Sequence, residues 1–229
     1  MRASIVLLVL ALAAPLRGGE PSPIEDRNFM LETGWNRDDA ALQVNSFFFR
    51  DTAAHELVQE WAVSSPRHQL SYTIPFYADD RTGLGDVMLN YRYQLRGGAE
   101  SRVGIAPRLS LILPTRDAHF GERSSGLQVS VPVSASLTGR LTVHTNLGAT
   151  WFSDRGETEL NLAQSVSFDV IRHVAVSVDA SYTRPGSLYV RPGVQFAIDG
   201  RRGLQIAPGI AFPNGGGVLV YVALEQALD

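Results

Sequence analysis

The chain has 229 residues, a formal net charge of -3 and no cysteine. Without cysteine it can build neither a disulfide framework nor a thiolate metal site. Its 20 Lys+Arg residues are all arginine, and no basic run indicates nucleic-acid binding. A mean hydropathy near zero is unusual for a helical membrane protein. It is expected of a membrane β-barrel, in which half of each strand is polar.

The N-terminus has the pattern of a signal peptide, which we predict over residues 1–19. Arg2 supplies the positive start, residues 5–12 form a short apolar core, and small residues at 11–13 and 18–19 offer cleavage sites. A retained membrane anchor is the alternative, but the apolar run is too short to span a bilayer. We expect residues 20–39 to be a periplasmic N-terminal segment or a plug.

Residues 40–229 follow a two-residue period, the pattern of a β-strand with two different faces. In residues 173–184, for example, an apolar side chain at every second position alternates with small or polar ones. A strand of about 9–11 tilted residues spans a bilayer. We predict about twelve such strands. Their predicted ranges are 40–50, 55–63, 68–77, 84–96, 101–114, 125–138, 140–152, 157–171, 173–184, 187–199, 203–213 and 216–227.

The connections between these strands alternate between tight turns and longer polar loops, of which 115–124 is the longest. Outer-membrane barrels have short periplasmic turns and longer external loops, and an even strand number puts both termini on one side. Aromatic residues on the apolar face fall near the strand ends, as interfacial rings do. They are Phe76, Trp151, Tyr182 and Phe212 on the long-loop side, and Tyr93, Phe168 and Phe196 on the other.

These patterns predict an all-β fold, a transmembrane antiparallel up-and-down β-barrel. A soluble β-sandwich is the alternative, but its apolar faces would have to meet each other and its strands would be shorter. Prolines inside predicted strands conflict locally with either fold, because proline cannot donate to the ladder. We expect β-bulges at these positions. The prolines are Pro107, Pro132, Pro192 and Pro208.

Three short motifs resemble those of the outer-membrane transporter family named after the MetA pathway of phenol degradation. They begin with Thr82-Gly83-Leu84-Gly85-Asp86-Val87, continue through Pro107 to Pro114-Thr115, and end in Leu141 to Gly148. The resemblance covers about residues 40–225, and Arg116 stands where the family usually has glycine. It implies an outer-membrane barrel that passes small hydrophobic or aromatic compounds, and it supplies no binding residues.

Within the first motif, Gly85-Asp86 admits two interpretations. The pair could bind a ligand. We favour a tight entry into a strand, with Asp86 accepting hydrogen bonds from the local backbone.

The polar strand faces predict the pore lining. Arginines cluster on the fourth and fifth predicted strands without a nearby carboxylate, and carboxylates cluster on the eighth and ninth, including Glu157. Opposed charged walls would orient polar solutes in an open lumen, or would form ion pairs that close it. The predicted pore-lining residues are Arg92, Arg96, Arg102, Arg108, His144, Glu159, Asp169, Asp179 and Arg191.

An enzymatic barrel is the main alternative. His144 should lie opposite Ser134 across the turn at Gly139, with Asp169 one strand further on. Serine, histidine and aspartate within mutual reach would form a nucleophile arrangement. The spacing is generic and no glycine-flanked nucleophile motif is present, so we predict no catalytic residues.

The sequence therefore predicts an outer-membrane channel or transporter that passes small solutes. A barrel enzyme of lipase or protease type, or a structural barrel with a filled lumen, are the alternatives. The predicted partners are outer-membrane lipid, a small-molecule solute and the barrel assembly machinery, with no nucleic acid. We predict neither a cofactor nor a metal, since His119 and His173 are isolated in the sequence.

Overall fold

The computed structural model describes residues 31–49, 52–98, 101–198 and 203–228. The predicted signal peptide lies outside these residues, as does the predicted tight turn at 199–202. In the described part of the chain, no helix has the length and apolar character needed to cross a membrane.

The described residues form fourteen strands and one short 3-10 helix at Ala118–Phe120. The strands are β1 (Ala40–Phe49), β2 (Thr52–Val63), β3 (Ser65–Ala78), β4 (Thr82–Leu84), β5 (Val87–Tyr93), β6 (Val103–Ile105), β7 (Arg108–Leu113), β8 (Gly126–Ser136), β9 (Leu141–Phe152), β10 (Glu157–Ile171), β11 (Val174–Arg184), β12 (Ser187–Ala197), β13 (Gln205–Pro213) and β14 (Leu219–Leu228).

These strands close into one antiparallel barrel. Both β4 and β5 pair with β3, and both β6 and β7 pair with β8, so each of these two couples occupies a single place in the barrel wall. The ring closes because β1 pairs with β2 on one side and with β14 on the other. The result is the predicted 12-stranded up-and-down barrel, with β1 beginning and β14 ending at the same rim.

The two faces of the wall differ as the two-residue period predicts. On β11, Val176 and Val178 point outward and are 40% and 53% exposed, whereas Asp179 is buried on the inward face. The predicted interfacial aromatics also lie on the outward face, and Trp151 and Phe212 are among its most exposed large side chains. An apolar exterior around a polar interior is the arrangement of a transmembrane barrel.

The first strand departs from simple alternation at its outer end. Phe48 points outward and is 44% exposed, while Phe47 and Phe49 lie on the inward face. The Phe47 ring contacts the ring of Tyr221 with centroids 6.4 Å apart. The consecutive phenylalanines therefore belong to both faces, which explains why the sequence pattern is blurred there.

The prolines are accommodated by gaps in the ladder, and the prediction of bulges is wrong for Pro132, Pro192 and Pro208. Pairing of β12 with β13 keeps one register past Pro192 and Pro208, with pairs missing only beside them, and pairing of β8 with β9 keeps one register through Pro132. Pro107 lies in the break between β6 and β7, and Ala106 before it donates its N–H to the carbonyl of Pro132. Losing a few ladder bonds leaves the period intact, whereas a bulge would shift it.

Candidate functional site

The enclosed face of the barrel carries polar side chains that bond to their neighbours around the wall. Gln195 donates to Gln205 at 2.9 Å, and Gln205 donates to Glu225 at 3.3 Å. On the other side Gln128 donates to Thr150 at 2.9 Å. A closed wall with a polar interior is the basis of a solute path across a membrane.

Residues 31–39 enter this lumen. Arg92 donates to the carbonyl oxygens of Thr33 and Trp35, the latter at 2.8 Å. Arg108 forms a salt bridge with Glu32. Residues 32–35 are thus bonded to the arginines of the wall, and a plug role for this segment stays a prediction. The structure corrects the expectation that no carboxylate neutralises the arginine wall, because Glu32 comes from before the first strand.

The backbone of this inner segment, residues 31–39, lies directly against the wall. Gly34 N donates to Ser134 Oγ at 2.7 Å, and Gln94 Nε2 donates to the Gly34 carbonyl at 2.7 Å. A Cβ atom on Gly34 would lie 2.3 Å from the carbonyl oxygen of Gly104. Only glycine permits so close an approach of two backbones.

A second anchor crosses to the far side of the barrel. Arg37 forms a salt bridge of 2.5 Å with Glu225 on β14, whose side chain is 1% exposed, and another of 3.1 Å with Asp39. Charge-assisted bonds to guanidinium groups are among the stronger hydrogen bonds in proteins. The inner segment therefore bridges the lumen from β5 and β7 to β14.

An inner cavity of about 270 Å³ remains between the inner segment and the wall. Its surface includes charged and amide side chains from β1, β2, β3, β5 and β7. Among them are Asn45, Glu56, Glu60, Gln69, Arg92 and Arg108.

At the opposite rim, the loop between β7 and β8 is held inward by Asp86. This carboxylate is 6% exposed and accepts from the backbone nitrogens of Arg116 at 3.1 Å and Ser124 at 3.2 Å. It also accepts from Arg116 Nε at 3.0 Å. Asp86 does bond to backbone, as expected, but to a loop about thirty residues away rather than to the local chain.

The first two family-like motifs meet at this loop. The Thr115 hydroxyl donates to the Gly85 carbonyl at 2.9 Å and accepts from Val87 N at 2.9 Å. A Cβ atom on Gly83 would lie 2.7 Å from the Phe120 ring, so glycine leaves the space that this ring occupies. The motifs therefore fasten the loop to the wall.

The docked loop encloses an outer cavity of about 280 Å³. The rings of Phe120 and Tyr77 lie 5.6 Å apart, and Arg116 lies 5.6 Å from the centroid of Tyr77. Most of the lining is aromatic or aliphatic. It includes Phe47, Phe49, Tyr77, Phe120 and Leu219.

Part of the predicted catalytic arrangement is present. Ser134 is directly opposite His144, as predicted, and Ser134 Oγ lies 2.7 Å from His144 Nδ1. On the other side of β9, however, Ser165 rather than Asp169 is opposite His144. Asp169 lies about 13 Å further along β10, at ~3.3 Å per residue. The three residues therefore do not form a chain of hydrogen-bonded neighbours.

The predicted pore-lining residues fall into two groups. Arg96 and Arg102 are exposed and lie outside the strands, near the rim where the termini are. The others lie on the inward face, where Asp179 is paired in register with Arg191 across β11 and β12. That they line a solute path stays a prediction. This inward group is Arg92, Arg108, His144, Glu159, Asp169, Asp179 and Arg191.

Sequence reasoning missed the acidic face of β2. Glu56 and Glu60 lie on the same side of this strand and line the inner cavity with Gln69. The signal was present, because Glu56, Val58 and Glu60 share a two-residue period. It was obscured by Leu57-Val58, where two apolar residues are consecutive.

At the outer rim the fold gathers three groups that are distant in the sequence. The side chains of Asp79, Asp80 and His119 place potential ligand atoms within 4.8 Å of one another. The backbone N–H of Arg81, followed by Asp80 and His119, lowers the pKa of Asp79. The sequence analysis treated His119 as isolated, but in the structure it lies beside Asp79 and Asp80. All three are exposed, and such clusters are common without a metal, so we assign none.

Comparison with known proteins gives one family and several solved folds. Residues 26–212 match the family model described as "Putative MetA-pathway of phenol degradation". No curated protein matches the chain.

Three outer-membrane proteins of known structure have a similar fold. The KdgM porin has a TM-score of 0.63 and 11% identity, over 82% of this chain and 99% of its own. The COG4313 outer membrane channel from Pseudomonas putida F1 has a TM-score of 0.62 and 11% identity, over 93% and 100%. The NanC porin has a TM-score of 0.55 and 10% identity, over 83% and 99%.

Proposed function

This chain belongs to the family of the MetA pathway of phenol degradation, and we propose that it is an outer-membrane channel for small solutes. The observation that carries the proposal is the inner cavity of about 270 Å³, bounded by polar side chains inside a closed barrel whose exterior is apolar. Porins and channels share the fold. Outer-membrane lipid and the barrel assembly machinery are its expected partners.

The outer cavity supports hydrophobic or aromatic compounds as solutes. Phe47, Tyr77 and Phe120 line it, at the rim where the longest described loop folds inward. Aromatic rings stack favourably in offset or edge-on geometry. A solute would meet this aromatic surface first and then the polar inner cavity. The KdgM porin has also been solved in complex with disordered oligogalacturonate, so the fold is compatible with passage of organic solutes.

Liposome swelling tests the proposal. Proteoliposomes containing the full chain should swell in isotonic solutions of small solutes that do not cross lipid unaided, and ionised aromatic compounds of phenol's size should enter faster than sugars of several rings. Liposomes prepared with heat-denatured protein are the control. Equal swelling with folded and denatured protein would favour a structural barrel with a filled lumen.

The contact between Ser134 and His144 keeps a barrel hydrolase as the second candidate. Its geometry disfavours that role, because Ser134 Oγ also accepts from Gly34 N and the Trp35 ring lies edge-on to His144 at 6.1 Å. The inner segment thus covers the pair. Ester or peptide hydrolysis that disappears in both Ser134→Ala and His144→Ala would establish the enzyme.

A further inference from the structure

Resting on the proposed channel function, we propose that the inner cavity is a binding site for a small organic cation. Glu56 and Glu60 would hold the cationic group, and Gln69 would bond to its polar hydrogens or acceptors. All three side chains line the cavity. The site would give the channel a preference among small solutes.

The two carboxylates line the cavity, and neither forms a salt bridge with a described residue. In register, Glu56 lies between Asn45 and Pro75, and Glu60 lies between Ala41 and Ser71. Among the described residues, the carboxylates in salt bridges inside the barrel are Glu32, Asp39 and Glu225, and Glu56 and Glu60 are not among them. Enclosed carboxylates without a salt bridge favour a cation beside them.

The cavity's arginines are already engaged. Arg92 is bonded to two carbonyl oxygens of the inner segment. Arg108 is paired with Glu32 and donates to Gln128 at 2.9 Å. Only the pair of Arg108 with Glu32 joins opposite charges directly. The cavity is lined by three carboxylates, Glu32, Glu56 and Glu60, and by two guanidinium groups, so the net formal charge of its lining is negative, which favours cations over anions.

Gln69 is an independent sign of a ligand. It is 2% exposed, and neither its amide oxygen nor its amide nitrogen has a hydrogen-bond partner among the described residues. A buried amide without partners costs free energy, which a polar ligand or water would recover. Gln69 pairs in register with Arg92, so its amide adjoins the guanidinium wall and faces the acidic strand.

Size limits the ligand. The cavity volume of about 270 Å³ lies just below the ~300–1,000 Å³ of pockets for drug-sized molecules. Glu56 and Glu60 are four residues apart on one strand face, or about 13 Å between their Cα atoms at ~3.3 Å per residue. A short chain with one or two ammonium groups fits between them.

Titration calorimetry on the full chain in detergent tests the site without requiring conduction. The probes are putrescine, the uncharged butanediol of equal chain length, and succinate. Putrescine should bind, and the other two should bind about tenfold more weakly or not at all. Glu56→Gln combined with Glu60→Gln should weaken putrescine binding by about tenfold or more.

A matched control removes the same charge elsewhere. Glu122→Gln with Glu157→Gln changes two exposed carboxylates at the outer rim and should leave putrescine affinity unchanged. Heat-modifiable migration on gels checks that each variant is folded. If the double cavity variant does not fold, the preference of the unaltered chain for putrescine over butanediol still decides the question.

Equal affinity for the three probes, or full putrescine affinity in the folded cavity variant, would overturn the site. The channel proposal fails separately. If the protein binds putrescine but does not conduct in bilayers, the binding site is supported and the channel is contradicted. If it conducts but does not bind putrescine, the channel is supported and the binding site is contradicted.

Discussion

Two parts of the barrel wall share one antiparallel hydrogen-bond ladder but differ in the continuity of their strands and in the segments that pack against them. In the regular wall, β8–β14, each strand is continuous and the outward side chains in the middle of the strands are predominantly apolar. In the interrupted wall, β1–β7, two places in the ring are split into short strands. The interrupted wall also supports the inward-folded loop and most contacts of the inner segment.

The outward faces differ as well. Three pairs of polar side chains lie on the exterior of the interrupted wall and bond to each other. His55 Nδ1 lies 2.9 Å from Ser46 Oγ, Tyr72 donates to Gln59 at 2.5 Å, and His68 Nδ1 lies 2.7 Å from Tyr91 Oη. Polar groups facing lipid must find partners within the protein, because hydrocarbon offers none. Polar side chains that interrupt the apolar outer face of this wall are therefore stabilised by hydrogen bonds to neighbouring polar side chains.

The largest expected effect is on the lipid face of the regular wall. Val178→Arg would place a charge near the middle of β11, where Val178 is 53% exposed outward, and should destabilise the folded barrel by about 2–4 kcal/mol. Val166, its partner in register on β10, should behave alike. Denaturant titration in lipid vesicles measures the change. Ser177→Arg, which points inward, is the control, and an equal loss there would contradict the assignment of faces.

A smaller effect is expected where the regular wall is tightly packed. Tyr221 lies across Gly193 and Gly209, and a Cβ atom on Gly209 would come within 2.2 Å of the tyrosine ring. Gly209→Ala should cost about 1–3 kcal/mol of unfolding free energy, as overpacking does. Gly139→Ala is the matched control, because nothing lies within 4 Å of its Cβ position.

Removing the tyrosine should relieve that clash. The double variant Gly209→Ala with Tyr221→Ala should lose less stability than the two single losses added together. Strict additivity in the same titration would show that the ring does not determine the cost.

In the interrupted wall, the main expected effect of mutation is on the loop between β7 and β8. Asp86→Asn weakens three hydrogen bonds that hold residues 116 and 124, and we expect a loss of about 1–2 kcal/mol. The freed loop should be cleaved faster by added protease. Glu157→Gln, at the same rim and with a side chain 63% exposed, should leave cleavage unchanged. Equal cleavage of both variants would mean that Asp86 does not dock the loop.

The comparison also explains what the sequence could reveal. In the regular wall, each strand buries one face against the lumen and exposes the other, so the period alone predicts β8 to β14. In the interrupted wall, several side chains bond to residues that are distant in the sequence. The pairing of Glu32 with Arg108 requires the inner segment to fold back inside the barrel, and the docking of Arg116 on Asp86 requires β5 to pair with β7. The two-residue period encodes neither contact.

The same reasoning applies to the candidate site. Ser134 opposite His144 follows from one hairpin, and the structure confirms it. The polar cavity requires β2, β3, β5 and the inner segment to meet, which depends on the whole barrel. Glu56 and Glu60 could be placed on one strand face from the sequence, but their lack of a salt bridge could not.

Single-channel recording in planar bilayers under a potassium chloride gradient tests the central claim most directly. The chain should give discrete conductance steps with a reversal potential that favours cations. Arg92→Ala with Arg108→Ala, which removes three contacts of the inner segment, should increase both the step size and the cation preference. Absence of steps from folded protein, or a variant with unchanged steps and reversal potential, would contradict a channel narrowed by its own N-terminal segment.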